Sequence, residues 1–438
     1  MMPSIRSRAL AGLLIAAGPL TTVAAPPPVL AQQAPGALAM RADGVLALFE
    51  GKADIAANFA PTLLAQLSPE KLIEISEQLK AQLGEPVAIE EIVPNGEFSA
   101  TVRIAFTKAV ASFAITIEPQ APHLINGLLF KGSETVGDTP DKILADLRAL
   151  PGTSGIAVAR LDDAGPTWLI EDHGDAPLAI GSTFKLYILA ELSRQIAAGE
   201  RHWDDVVPLD RRSLPSGMLQ GWPAGSPLTL HTLAGLMISI SDNTATDTLL
   251  ATLGRDKVEA MMASAGNAHV AANRPFLSTF EMFALKGVAD ERLATAYAAG
   301  DEAARRALLP AIAKVERDAI LPERFTGNPH WIDTIEWFAS PRDLVGVMDW
   351  LRRNGDDTTR DILAISDGVS DDIAAKFAYV GYKGGSEPGV LNTSYLLRDD
   401  AGRWYAVSVG WNDPDAALAD TKLFMIASRA IGWVAERD

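Results

Sequence analysis

The chain has 438 residues, a formal net charge of −17, 48% hydrophobic residues and no cysteine. That length is too great for one simple domain and comfortable for two. The acidic balance argues against nucleic acid and anionic membrane surfaces as partners. The missing cysteines exclude disulfides, thiolate nucleophiles and cysteine-based metal sites.

In chain order, Arg6 and Arg8 precede an apolar run from Ala9 to Leu20, and Val29-Leu30-Ala31 carries the residue types a signal peptidase reads. This pattern predicts a secretory signal over residues 1–31, cleavage near Ala31, and a periplasmic or secreted protein. Gly18 and Pro19 interrupt the run. It falls short of the roughly 20 apolar residues of a membrane span, and no later stretch qualifies, so no stable span is predicted.

Residues 35–132 read as a small α+β domain. Helical patterns cover Leu38 to Phe49, Ile55 to Gln66 and Pro69 to Leu83. Strand patterns follow over Val87–Ile92, Phe98–Phe106, Ala109–Ile117 and Leu124–Phe130, with Ala100, Val102 and Ile104 alternating against Thr101 and Arg103. Helices first and sheet after is similar to the cone-shaped domains of the steroid-isomerase-like group, but no catalytic motif accompanies the likeness. Asp54, Glu77 and His123 read as surface or turn residues. The domain is expected to support the catalytic part or to shape its entrance.

Gly132 to Pro140 is polar and turn-rich and predicts a boundary, with a second domain over 140–438. It opens with a hairpin pattern, Ile156–Arg160 and Thr167–Ile170 around Asp162-Asp163-Ala164-Gly165. It closes with another, Tyr395–Arg398 and Trp404–Val409 around a second Asp-Asp-Ala-Gly at 399–402, and then a helix over Asp420–Ala435. Two strands from the start and three from the end predict one antiparallel sheet, with helices between.

Three short pieces in this domain carry chemistry. They are Ser182-Thr183-Phe184-Lys185, Ser241-Asp242-Asn243 and Lys383-Gly384-Gly385, in that order. A hydroxyl attacking a carbonyl needs an amine close enough to take its proton. If a helix starts near Ser182, Lys185 lies one turn away on the same face. A lysine beside other cations and away from water loses basicity and serves as a base. The first piece alone is weak evidence. Ser68-Pro69-Glu70-Lys71 has the same spacing and reads as a helix start with Ser68 as N-cap.

Together the trio resembles the penicillin-recognising serine enzymes, the superfamily of class A β-lactamases and penicillin-binding proteins, with their S-x-x-K, S-D-N and K-T-G elements. The step from position 182 to 241 is the one that family leads one to expect. The helix-like run from Leu228 through Leu233, Met237 and Ile240 also fits, as does its continuation to Gly254. The resemblance covers roughly 140 to 438. It implies a β-lactamase-like fold: a five-stranded antiparallel sheet with a helical subdomain and the site between them. It implies Ser182 as nucleophile, Lys185 as base and Ser241 as proton relay. Asn243, Lys383, Gly385 and Ser386 are implied to bind substrate, with an oxyanion hole from the N–H groups of Ser182 and Ser386. Met218 and Trp222 are implied as one wall of the cleft. No cofactor or metal is implied. The expected partner is a small-molecule or cell-wall-derived substrate, and the expected reaction is hydrolysis of an ester, an amide or a β-lactam; the alternatives are a class A β-lactamase, a D-alanyl-D-alanine carboxypeptidase or transpeptidase, and a binding protein that keeps the cleft without the chemistry.

Two departures stand out. The third element is Lys-Gly-Gly, so a hydroxyl is missing at Gly384, and Ser386 is the expected substitute. The glutamate that frees the acyl-enzyme in class A β-lactamases would fall near Leu277 or Ser278, neither of them acidic. Glu281 is the nearest carboxylate, but Ser278-Thr279-Phe280-Glu281 reads as a capping box. The deacylating base is therefore expected to be Glu281 or Lys185. The long gap from Ser241 to Lys383 includes an Ala-rich helical stretch, Asp290 to Arg317, expected as a lid or as extra helices over the cleft.

Other templates fit poorly. There is no G-x-S-x-G elbow around Ser182. The six histidines are scattered without a zinc pattern, and no Gly-rich phosphate loop opens a helix.

Overall fold

The computed structural model describes residues 36–135 and 138–437, so the predicted leader lies outside the described residues. The chain divides into two compact units. The first runs to Asp138 and includes residues 370–372; the second comprises 139–369 and everything from 373 onward. No helix among the described residues is long and apolar enough to cross a membrane.

In the first unit α1 (Gly36–Phe49), α2 (Ile55–Asn58), α3 (Pro61–Leu64) and α4 (Pro69–Leu83) precede β1 (Pro86–Pro94), β2 (Ser99–Phe106), β3 (Ala109–Ile117) and β4 (Ile125–Thr135). The strands form an antiparallel meander in the order β1-β2-β3-β4. Alternating Ala100, Val102, Ile104 and Phe106 enter the core against Leu38, Val45, Phe49 and Leu72 of the helices. The single helix expected over 55–66 is two short ones. Pro61 disfavours helical backbone at Ala60. Phe59 and Ala60 are extended, and the Ala60 N–H is spent on Ile125 O at 2.8 Å. Ser68 caps α4 by accepting from Lys71 N, which leaves its S-x-x-K spacing to local structure. The last strand continues past 132 to Thr135.

The second unit opens with α5 (Pro140–Arg148), β5 (Thr153–Asp162), β6 (Gly165–Asp172) and β7 (Leu178–Ala179). A 3₁₀ turn at Gly181–Phe184 leads into α6 (Lys185–Ala197). The helical part adds β8 (Val206–Pro208), β9 (Pro227–Thr229), α7 (Leu230–Ser239), α8 (Asn243–Leu253), α9 (Arg255–Ser264), α10 (Thr279–Gly287), α11 (Arg292–Ala299) and α12 (Glu302–Ile312). Then come β10 (Phe338–Ala339), α13 (Pro341–Asn354), α14 (Asp357–Leu363), the one-turn α15 (Asp371–Ala374), β11 (Tyr379–Glu387), β12 (Val390–Arg398), β13 (Trp404–Asn412) and α16 (Asp420–Ala435).

The main sheet has the order β11-β12-β13-β5-β6, antiparallel throughout, so the two ends of this unit meet where β13 pairs with β5. This is the sheet expected from the paired hairpin patterns. Both of its faces are covered. Along β5, Ala157, Ala159 and Leu161 enter the core shared with α6 and α13, while Ile156 and Val158 face the core shared with α5 and α16. The period of two in a strand sends neighbours to opposite faces, and a sheet covered twice needs apolar residues on both. Helix α6 is buried nearly all round, from Lys185 through Leu192, which marks it as the central helix of the unit.

The Ala-rich stretch 290–317 forms α11 and α12, separated where Asp301 caps the second helix by accepting from Ala304 N. Arg306 of α12 pairs with Glu259 of α9, and Tyr297 of α11 reaches Pro275 O at 3.4 Å. These helices are extra cover on the helical part.

Candidate active site

The site forms where three chain segments meet α6. The first is the 3₁₀ turn. Ser182 sits in it, ahead of α6 rather than at its first turn, because Gly181 takes a left-handed φ of +48°. Gly181 packs so tightly on β11 that a Cβ there would lie 2.9 Å from Ser386 N. Trp337 O accepts from Ile180 N at 3.0 Å, and the Trp337 ring stacks on Phe184 at 3.7 Å. The turn is thus held on both sides.

The second segment joins α7 to α8. Asp242 caps α8 by accepting from Ala245 N at 2.9 Å, and its other oxygen accepts from Met218 N at 2.6 Å and Leu219 N at 2.9 Å. Asp242 is thus a structural residue of this loop. Ser241 precedes it at φ +57°, a left-handed conformation uncommon outside glycine. Its carbonyl accepts from Ser216 Oγ at 2.7 Å, one of the contacts that hold it there. The third segment is β11, the edge strand of the sheet, which carries Lys383, Gly385 and Ser386.

Lys185 ties these pieces together. It is fully buried, and its Nζ donates to Ser241 O at 2.7 Å, Ser241 Oγ at 2.9 Å and Asn243 Oδ1 at 2.7 Å. Lys383 Nζ reaches the same Ser241 Oγ at 3.2 Å and Gly384 O at 2.6 Å. Burial first, and then the neighbouring Lys383 charge, push the Lys185 ammonium well below the ordinary lysine range, with Asp247 and Asp242 opposing. Burial brings Lys383 down to about 7. A hydroxyl has two acceptor positions and one proton. With both lysines donating to it, Ser241 Oγ keeps its own proton free to donate outward.

Ser182 Oγ is half-buried and makes no hydrogen bond among the described residues, because the Lys185 amine is turned toward Ser241 and Asn243. Catalytic hydrogen bonds are commonly long in empty sites and tighten with substrate. Asn243 is similarly engaged: its carbonyl serves Lys185, and one N–H goes to Leu214 O at 3.2 Å. Gly385 is required where it stands. A Cβ there would lie 2.2 Å from Ile180 O and 2.5 Å from Ser182 N. Its absence lets β11 run against the Ser182 turn, which brings Ser182 N and Ser386 N to the same corner. Ser386 is exposed, and so are the apolar side chains of Met218, Trp222 and Ile240 on the loops around Ser241.

These contacts bear on the two departures from the family pattern. Glu281 is not a free carboxylate. Arg255 donates to both its oxygens, at 2.7 and 2.9 Å, and Ser278 N donates to one at 2.8 Å, completing the capping box of α10. The missing hydroxyl at Gly384 also has a local reason. A Cβ at Gly384 would lie 2.2 Å from Tyr382 Oη, so the Tyr382 side chain occupies the space a threonine would need.

Sequence reasoning missed Asp247 and Ser216. Asp247, one helical turn after Asn243 in α8, accepts from Thr279 N at 2.7 Å and Phe280 N at 2.9 Å, and burial raises its carboxyl to about 6. Its position on the Asn243 face of α8 was the available signal. Ser216 lies in a loop with no pattern to mark it.

Residues 140–433 match the model of a family described as the beta-lactamase enzyme family. No curated protein matches the chain. Among solved structures, a mutant of PBP-A in an acyl-enzyme complex with penicillin-G is 16% identical, covering 68% of this chain and 96% of its own, at a TM-score of 0.47. A β-lactamase from Sphaerobacter thermophilus is 22% identical with the same coverage of both chains and a TM-score of 0.45. A β-lactamase from Desulfarculus baarsii is 18% identical over 69% of this chain and 100% of its own, at 0.46.

Gly385→Ala should force β11 away from the Ser182 turn. Because the clash is with backbone, we expect a destabilisation of about 1–3 kcal/mol in denaturant unfolding. Wild-type stability in this variant would show that the close approach is dispensable.

Proposed function

The chain belongs to the beta-lactamase enzyme family of serine hydrolases, and on that footing we propose that it cleaves a small ester, amide or β-lactam through a covalent acyl-enzyme on Ser182. The observation that carries the reading is the sharing of Ser241 Oγ by Lys185 and Lys383 beside the Ser182 turn. In this mechanism Ser182 Oγ attacks the substrate carbonyl carbon and its proton passes to neutral Lys185. The carbonyl oxygen gathers charge between the N–H groups of Ser182 and Ser386. The leaving group departs with the proton of Ser241, which Lys185 replaces. Water then gives a proton to Lys185 and attacks the acyl carbon, the bond to Ser182 Oγ breaks, and Lys185 returns the proton to Ser182 Oγ. Lys185 serves as base in this half as well, since both Glu281 oxygens are committed to Arg255 and Ser278.

Lys383 is assigned to a substrate carboxylate. Burial brings its ammonium down to about 7 in the empty site, and Gly384 adds no hydroxyl. The reading favours slow release of the acyl group, because one lysine must serve both half-reactions. We further propose that residues 1–31 direct export and are removed; the processed protein should begin near Gln32 when its N-terminus is sequenced, and an intact Met1 on protein outside the cytoplasm would refute this.

Mixed with a chromogenic cephalosporin, the mature protein should acquire a mass adduct on Ser182 that outlasts the first colour change. Ser182→Ala should form no adduct and lose at least 10³-fold in ester hydrolysis, of the order seen on removing such nucleophiles. Rapid colour with no lasting adduct would contradict slow deacylation, and turnover by Ser182→Ala would contradict the nucleophile.

The pH dependence follows from the two lysines. Lys185 works as a base once it has lost its proton, so kcat/KM for a neutral ester should rise with pH, with a midpoint well below 10.5. For a substrate with a carboxylate the profile should fall again above about 7, as Lys383 gives up its proton and its charge. Lys383→Met should abolish that second limb. Identical profiles for the two substrates would remove Lys383 from carboxylate binding.

A further inference from the structure

Behind the Ser182 turn lies a buried ionic cluster that the mechanism does not use. Lys286 of α10 is 2% exposed, Glu336 is 5% exposed, and Glu387 ends β11 directly after Ser386. Lys286 Nζ pairs with Glu387 Oε1 and stands 3.7 Å from Glu336 Oε1. Glu336 Oε2 accepts from Trp337 N at 3.1 Å, while its Oε1 is buried with no hydrogen-bond partner.

Each carboxyl group belongs to one of the two segments that grip the turn. The Glu336–Trp337 segment accepts from Ile180 N at 3.0 Å and stacks Trp337 on Phe184. The Gly385–Glu387 segment presses Ser386 N against Gly181. Lys286 reaches both. Buried ion pairs are seldom more stabilising than well-packed apolar side chains of the same volume, so stability alone does not account for the cluster. Two ionised carboxylates beside one ammonium would leave a net buried negative charge. Burial and the neighbouring Glu387 raise the Glu336 carboxyl well above its ordinary range, while Lys286 Nζ takes Glu387 as its close partner.

We propose that Lys286 is a positioning residue for acyl transfer: by pairing with Glu387 beside Glu336 it clamps β11 to the Trp337 segment and holds the N–H groups of Ser182 and Ser386 at one fixed separation. The inference rests on the acyl-enzyme reading of Ser182. Charge development on the carbonyl oxygen is stabilised only by donors already in place. A loosened clamp therefore slows the chemical step and leaves ground-state binding nearly intact.

The test is a set of full-length variants assayed with p-nitrophenyl butyrate and with a β-lactam that labels Ser182, alongside thermal unfolding. Lys286→Met should lower kcat and the labelling rate about 10- to 100-fold, with KM within about threefold. Glu387→Gln, nearly isosteric, should behave like Lys286→Met and covers the case in which that variant does not fold. Glu336→Gln has the shape and charge of the protonated acid and should stay within about threefold of wild type in kcat. A folded Lys286→Met or Glu387→Gln with wild-type kcat would overturn the proposal, as would a loss confined to KM. So would Glu336→Gln falling as far as Glu387→Gln, since the clamp would then need both charges. If the wild-type protein itself is never labelled on Ser182, the acyl-enzyme reading fails. Labelling of wild type and Lys286→Met at equal rates defeats only the clamp.

Discussion

The buried ammonium of Lys185 is the interaction on which the rest of the catalytic unit depends. A lysine out of water needs partners for its protons, and here they come from the Ser241 carbonyl, the Ser241 hydroxyl and the Asn243 amide. Meeting that need brings the end of α7, the start of α8 and the start of α6 to one point. The left-handed backbone at Ser241 belongs to the same constraint. It aims carbonyl and hydroxyl at one amine, and Asp242 and Ser216 fix it from either side. The same burial that makes these contacts obligatory lowers the basicity of Lys185, so packing and reactivity have one origin.

The sheet supplies the opposite wall. β11 is an edge strand, and an edge leaves backbone groups unpaired. The protein uses that edge rather than covering it with another strand. Gly385 and Gly181 allow strand and turn to approach to backbone contact, and the N–H groups of Ser182 and Ser386 share the resulting corner. Close approach of this kind is sensitive to small displacements. Buried Lys286 and Glu336, with half-buried Glu387, stand at that corner, where rigidity matters more than stability.

Much of the second unit was legible in the sequence because its signals are local and repeated. Alternation and two Asp-Asp-Ala-Gly turns marked the hairpins, and β13 does pair with β5. Ser68 and Ser278 cap the helices their positions suggested, since capping is decided within one turn of chain. The predicted helix over 55–66 failed because a long-range hydrogen bond from Ala60 to Ile125 competes with a local preference that Pro61 already weakens. The Lys-Gly-Gly departure was visible as a missing hydroxyl, but not as room made for Tyr382, which depends on how a side chain lies along its strand.

Spacing and residue chemistry within a few positions were enough for the order of elements, for the family and for naming Ser182, Lys185, Ser241 and Lys383 as the candidate set. Tertiary structure alone decided what each group touches. Glu281 was a candidate base by position and became the partner of Arg255; Asp247 and Lys286 carried no motif and became buried charges beside the site. The physical reason is that hydrogen-bond partners and desolvation are set by residues far apart in the chain, and the function of an ionisable side chain is set by them in turn.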